Sequence, residues 1–161
     1  MQRFFLWALC GLMMLGVTAQ AEVVRPAPDL RWIDASGKTK SLKELRGQPV
    51  VLILTPSYRT WAFKRQLGRL RSAYERLAAT KAVFIVAFTN EAGRVPSNIP
   101  FAIAADGPKA AFDYGVTDRF AIAIIGRDGN LDYLTNKILP GQRVLDIIDN
   151  SFVNQERLRR P

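Results

Sequence analysis

Apolar positions along this chain follow two rhythms. Val50 to Thr55 is an unbroken run of apolar and β-branched residues, and Val83 to Phe88 is another. Runs of this length without polar alternation belong to strands covered on both faces. From Ala62 to Ala79, by contrast, Phe63, Leu67, Leu70, Tyr74 and Leu77 recur at spacings of four, three, four and three. That rhythm predicts one helix with a single buried face. Lys64, Arg65, Arg69, Arg71 and Arg76 fall mostly off that face and give the helix an arginine-rich outer surface.

Turn and cap residues predict the remaining elements. Glu22 to Pro28, with two prolines and no periodicity, reads as an extended lead-in. Leu30 to Ile33 is a short strand, and Asp34-Ala35-Ser36-Gly37-Lys38 is the turn of a hairpin, with Gly37 suited to a left-handed position. Ser41 followed three residues later by Glu44 is a capping box, and Gly47 ends the short helix it opens. A loop punctuated by prolines runs from Glu91 to Pro100, and Pro108 to Tyr114 is a short helix ended by Gly115. Ala121 to Ile125 and Leu131 to Leu134 flank an Asp128-Gly129 pair, the signature of a hairpin. Pro140 opens a last helix whose core face is Val144, Leu145, Ile147, Ile148 and Phe152. From Val50 the predicted order is strand, helix, strand, helix, hairpin, helix. No internal repeat is present, and the one biased stretch is the basic end around Arg157, Arg159 and Arg160.

The amino end carries an export pattern. Met1 to Arg3 is short and positive, Phe4 to Val17 is apolar, and Thr18-Ala19-Gln20-Ala21 offers small residues at both positions a signal peptidase reads. Cleavage after Ala21 is expected, so that residues 1–21 are a signal peptide and residues 22–161 form one periplasmic or secreted domain. The apolar run is shorter than the roughly 20 residues a membrane span needs. Cys10, preceded by Leu9 and deep in that run, does not match a lipoprotein cleavage point and reads as a small hydrophobe of the signal.

Composition then narrows the chemistry. The chain has no histidine, and its single cysteine is Cys10. A mature chain from Glu22 therefore has no Ser-His-Asp or Cys-His nucleophile, no thiolate or imidazole zinc site, no blue-copper site and none of the usual haem ligands. No catalytic residue, cofactor or metal ligand is assigned. Loss of Arg3, the one charged side chain in residues 1–21, moves the formal charge from +9 to +8. Such a balance favours acidic partners, an acidic protein segment or another polyanion, with a membrane surface also open and nucleic acid not expected for an exported chain; the plainer and commoner reading is a solvated surface that keeps the chain soluble.

Taken in order, Ala27-Pro28-Asp29-Leu30, the Asp-Ala-Ser-Gly-Lys turn, Ser41-Leu42-Lys43-Glu44-Leu45-Arg46-Gly47, Pro49-Val50-Val51-Leu52, Tyr114-Gly115-Val116 and Ile125-Gly126-Arg127-Asp128-Gly129 resemble thioredoxin-fold proteins. More narrowly, they resemble the redoxin (AhpC/TSA) branch, which includes exported thiol-disulfide reductases and peroxiredoxins. The resemblance covers most of residues 27–150 and implies an α/β fold, a mixed sheet with helices on both faces. It places the working site where the Val50 strand passes into the Ala62 helix. The family's aromatic then falls on Tyr58, its two cysteines on Arg59 and Ala62, its cis-proline on Phe120 after Arg119, and its buried acid on Ile53. A bond between Arg119 and Phe120 is expected to be trans.

With the reactive groups replaced together, the expected site is an anion or partner-binding surface of Tyr58, Arg59, Thr60, Lys64, Arg119 and Phe120, with Ser57 able to join. Arg59 would stand at a helix amino end, where exposed N–H groups favour an anion. The plainer alternative is a solvated Arg59 beside a Thr60 that merely caps the helix. Tyr58 and Trp61 could form an aromatic patch, although packing against the sheet is the commoner fate of such rings. Asp128, Asn130 and Asp132 alternate like a calcium loop, but Tyr133 and Leu139 stand where its glycine and closing glutamate belong, which leaves a hairpin turn. Asp146 and Asp149 read as the wet side of the last helix. The favoured function is a redox-inactive binding module for an acidic or anionic partner in the cell envelope. The alternative is an enzyme working without its own thiols, through a partner's cysteine or carboxylate and lysine chemistry.

Overall fold

The computed structural model describes residues 25–91, 93–116 and 119–151. The signal-peptide and Glu22 expectations, Phe152 and the basic end lie outside these residues. Seven strands form one sheet in the order β2-β1-β5-β4-β3-β6-β7. They are β1 (Arg31–Ile33), β2 (Thr39–Ser41), β3 (Val50–Thr55), β4 (Val83–Phe88), β5 (Phe101–Ala104), β6 (Ala121–Ile125) and β7 (Leu131–Thr135). β3, β4 and β5 run parallel, and the other pairings are antiparallel. All six residues of β3 are buried, as a strand flanked by β4 and β6 and covered on both faces requires.

The pleat divides the core. Val51, Ile53, Phe84, Val86, Ile122 and Ile124 face a layer formed by α1 (Trp61–Arg71), α2 (Tyr74–Ala79) and α4 (Gly141–Asp149). Val50, Leu52, Leu54, Ile85 and Ala123 face the opposite side, where α3 (Gly107–Asp113) lies with Leu30, Trp32 and Leu42. Each fully buried aliphatic or phenylalanine side chain contributes about 1.5–3 kcal/mol, so these two layers carry the fold. Trp32 is buried, and its Nε1 donates to Ser41 O at 3.3 Å across the first hairpin.

Both hairpins, the capping box at Ser41 and the glycine stops form as the pattern predicts. Ser41 Oγ accepts from Lys43 N at 3.2 Å, Glu44 Oε1 accepts from Ser41 N at 2.8 Å, and Gly47 has a φ of 96°. Asp128 accepts from both the backbone and side-chain nitrogens of Asn130, so that segment is a self-satisfied turn.

Two expectations need correction. The helix predicted over 62–79 is two helices, broken at Ser72 and Ala73, although Leu70, Ala73 and Leu77 keep one buried face. The start of α4 packs closely on this junction: a Cβ on Gly141 would stand 2.5 Å from Arg69 O and 2.6 Å from Ala73 Cβ. Strand β5, absent from the predicted order, sits between β1 and β4.

Candidate functional site

Where the parallel strands β3 and β4 end, two loops leave the sheet, the position at which open α/β sheets place their sites. The β3–α1 loop is locked from inside. The hydroxyls of Thr55 and Thr60 lie 2.9 Å apart, and Thr60 Oγ1 also donates to Ser57 O at 3.1 Å. Thr60 is the N-cap of α1, yet its hydroxyl makes no bond to the helix, so the capping role is not the one it plays. Ser57 Oγ accepts from Arg59 N at 3.1 Å and donates to Glu91 Oε2 at 2.6 Å, tying the loop to the segment after β4.

Arg59 is exposed and folds back on its neighbour. Its Nε donates to Tyr58 Oη at 3.0 Å, and its guanidinium carbon stands 5.3 Å from the Tyr58 ring centre. That hydrogen bond, followed by the charges of Tyr58 and Glu91, raises the guanidinium pKa above its usual value. Tyr58 is half-buried, packed against the core and beside Gly93. Trp61 does not pack on the sheet: it is 71% exposed, because the first position of α1 lies opposite Phe63, Gln66, Leu67 and Leu70.

Beside this loop is a groove of about 650 Å³. Pro56 and Thr60 form one wall, Thr89 and Asn90 its floor after β4, and Pro108, Ala111 and Phe112 of α3 the opposite wall, with Val116 and Arg119 closing it. Among the described residues that line it, Arg119 is the one charged side chain. Gly107 fixes the α3 wall, since a Cβ there would stand 1.8 Å from Phe88 O.

The structure thus brings Thr60 and Arg119 to one groove and stacks Arg59 on Tyr58. Lys64 lies on the exposed face of α1, away from the groove lining. Phe120 is 5% exposed and packs in the core with Phe63 and Ile122, so it supports the site from beneath instead of facing a partner. Arg119, in the bend before β6, is exposed and lines the groove, while Phe120 turns into the core. Ile53 is fully buried in the same core, and no cis peptide bond occurs among the described residues.

Sequence reasoning did not single out Glu91 or Phe112. Glu91 carries no local signal, because its bond to Ser57 joins residues 34 positions apart. Phe112 was readable: Ala110, Ala111 and Tyr114 make the buried side of α3, which leaves Phe112 pointing out, 84% exposed. Among the described residues no group of three or more acidic, cysteine or histidine side chains could hold a metal, and no helix is long and apolar enough to cross a membrane.

A mixed sheet with α1, α2 and α4 on one face and α3 on the other defines a thioredoxin-like fold. The AhpC/TSA family profile matches residues 23–134, and the chain belongs to that family. No curated protein matches it significantly. Among solved structures it is similar to a thioredoxin-family thiol:disulfide interchange protein from Chlorobium tepidum, with 14% identity, a TM-score of 0.63, and coverage of 78% of this chain and 94% of the other. It is also similar to thioredoxin peroxidase I of Plasmodium yoelii, with 16% identity, a TM-score of 0.59, and coverage of 85% and 92%. A third is the exposed lipoprotein thioredoxin of Streptococcus pneumoniae, with 16% identity, a TM-score of 0.51, and coverage of 74% and 96%. At these identities the likeness establishes the fold.

Proposed function

We propose that this protein is an exported, redox-inactive thioredoxin-like module that binds an acidic protein segment in the cell envelope. One observation carries the reading: where the α1 start and its groove are intact, the positions that the redoxin pattern gives to cysteines hold Arg59 and Ala62, and the groove presents Arg119 to whatever enters. A thiolate is the nucleophile of redoxin chemistry, and none is available there. The groove offers an apolar wall at Pro108, Ala111 and Phe112 and one cation, which together suit a peptide with an apolar side chain next to a carboxylate. Export rests on the Met1–Ala21 pattern, with support from an exposed lipoprotein among the structural neighbours.

Two measurements test this. Purified protein should show no insulin reduction and no peroxide consumption above a blank. A synthetic peptide with one phenylalanine between two glutamates should shift the amide resonances of Thr89, Asn90 and Phe112, and Arg119→Glu should abolish the shifts. Turnover in either assay, or a peptide that leaves those amides untouched, would overturn the reading.

A further inference from the structure

The solvent face of α1 is separate from the groove, and no part of the binding function accounts for it. With Phe63, Gln66, Leu67 and Leu70 turned inward, the opposite midline is Trp61, Gly68 and Ser72. Helical spacing sets Arg65 and Arg69 along one side of that midline and Lys64 and Arg71 along the other. The helix holds four cations and no acid. The ion pairs among the described residues, Lys40 with Asp34, Lys43 with Asp29 and Lys109 with Asp113, all lie elsewhere. Arg71 donates to Pro96 O, and Arg59 precedes the helix. The nearest acids in sequence are Glu75 on α2, exposed, and Glu44, held in the Ser41 capping box, with Glu91 next and held by Ser57. A Cβ on Gly68 would meet nothing within 4 Å, so no internal packing crosses this face.

We infer that the outer face of α1 is a docking surface for an anionic lipid bilayer, with Trp61 seated at the headgroup level and Lys64, Arg65, Arg69 and Arg71 on the phosphates. An indole 71% exposed at the end of a cationic helix combines the two groups that interfacial helices use, an amphipathic ring and basic side chains. The surface is a convex helix face. An acidic protein would find no pocket on it, whereas a bilayer needs none. Each basic residue near an anionic surface strengthens binding by roughly fivefold, and the attraction falls off within a Debye length.

The test is co-flotation of the full chain with vesicles of equal phosphatidylglycerol and phosphatidylcholine, against vesicles of phosphatidylcholine alone. The apolar segment Phe4–Val17 would act on both vesicle types, so the reading is the ratio between them. The wild type should prefer the anionic vesicles, and Arg65→Glu with Arg69→Glu should cut that preference about twenty-fold or more. Lys38→Glu with Lys137→Glu, the same charge change at exposed positions off this helix, should leave most of it. Trp61→Ala should weaken anionic binding several-fold, and with Trp7 and Trp32 both replaced by Phe a brominated lipid should quench the emission of the remaining Trp61. Equal binding to both vesicle types, or equal losses in the two charge-reversed pairs, would refute the assignment. Salt-sensitive retention on immobilised polyglutamate without any lipid preference would also refute it and give the face to an acidic protein. None of these outcomes depends on occupancy of the groove.

Discussion

The side-chain amide of Gln66 closes a two-way hydrogen bond with the backbone of Leu139: Nε2 donates to its carbonyl at 3.0 Å, and Oε1 accepts from its N–H at 2.8 Å. Gln66 is completely buried, so this pair satisfies two backbone groups that water cannot reach and pins the approach to α4 onto α1. Gln66→Leu leaves both groups unpaired at about 1–3 kcal/mol each. The expected loss is about 2–4 kcal/mol, read by urea denaturation followed by circular dichroism. A loss under about 0.5 kcal/mol would mean that water enters here.

Gly107 lies where α3 meets the end of β4, and its missing Cβ leaves room for Phe88 O. Backbone atoms on both sides leave little room to relax. Gly107→Ala should destabilise by more than the 1–3 kcal/mol usual for overpacking, or shift α3 and open the groove wall. Thermal melting gives the first, and the amide shifts of Phe112 the second. A variant unchanged in both would contradict the packing described.

Tyr114 links stability to alkaline pH. Its hydroxyl donates to Pro28 O at 3.0 Å, and burial, with Asp29 nearby, pushes the phenol well above its ordinary value. A raised folded value gives stability that is complete below the unfolded pKa, about 10, and lost as pH climbs toward the folded one. Alkaline unfolding should therefore track ionisation of Tyr114. Tyr114→Phe should remove this group's share of the alkaline slope while costing about 0.5–1.5 kcal/mol at neutral pH through the lost hydrogen bond. An unchanged slope would count against it.

At the acid end the relevant group is Asp34, whose carboxyl is held well below its usual range, first by the Ser36 hydroxyl and then by the Lys38 amide. Its contribution is complete above about pH 4, the unfolded value, and is lost as pH falls toward the folded one. Asp34→Asn should flatten the upper part of the acid-denaturation curve. If the curve keeps its shape, the hydrogen bonds at this turn do not discriminate between the two protonation states.

The assignment of the α1 start predicts a gain of chemistry. Arg59→Cys with Ala62→Cys, in a Cys10→Ser background, should close an intramolecular disulfide and show weak insulin reduction, since a helix amino end lowers thiol pKa. The same background without the two cysteines should be inert. Two thiols that stay free under mild oxidation would show that residues 55–62 are not the equivalent of the redoxin loop.

The strands β3 and β4 were legible because uninterrupted apolar runs have few other homes, and the hairpins because Gly37 and Gly129 supply the positive φ their turns require. β5 was not legible. Its four residues include two alanines and follow Pro100, and what makes them a strand is pairing with β1 and β4, far away in the chain. The α1–α2 break was hidden because apolar periodicity continues across it, with Leu70, Ala73 and Leu77 on one buried face. At the site, Arg59, Thr60 and Arg119 could be placed by register alone. The direction each side chain takes could not, because Phe120 and the Thr60 hydroxyl turn inward through contacts that only the assembled sheet provides.

Trp32 and Trp61 occupy opposite environments, one under the first hairpin and one in open water. Their light therefore reports different events. Emission from Trp32 should shift to the red only when the sheet comes apart, while Trp61 should yield to a collisional quencher in the native state and lose that access when something settles over α1. With Trp7 replaced by Phe, a single spectrum, recorded with and without quencher, can distinguish a ligand that covers the helix from one that melts the domain.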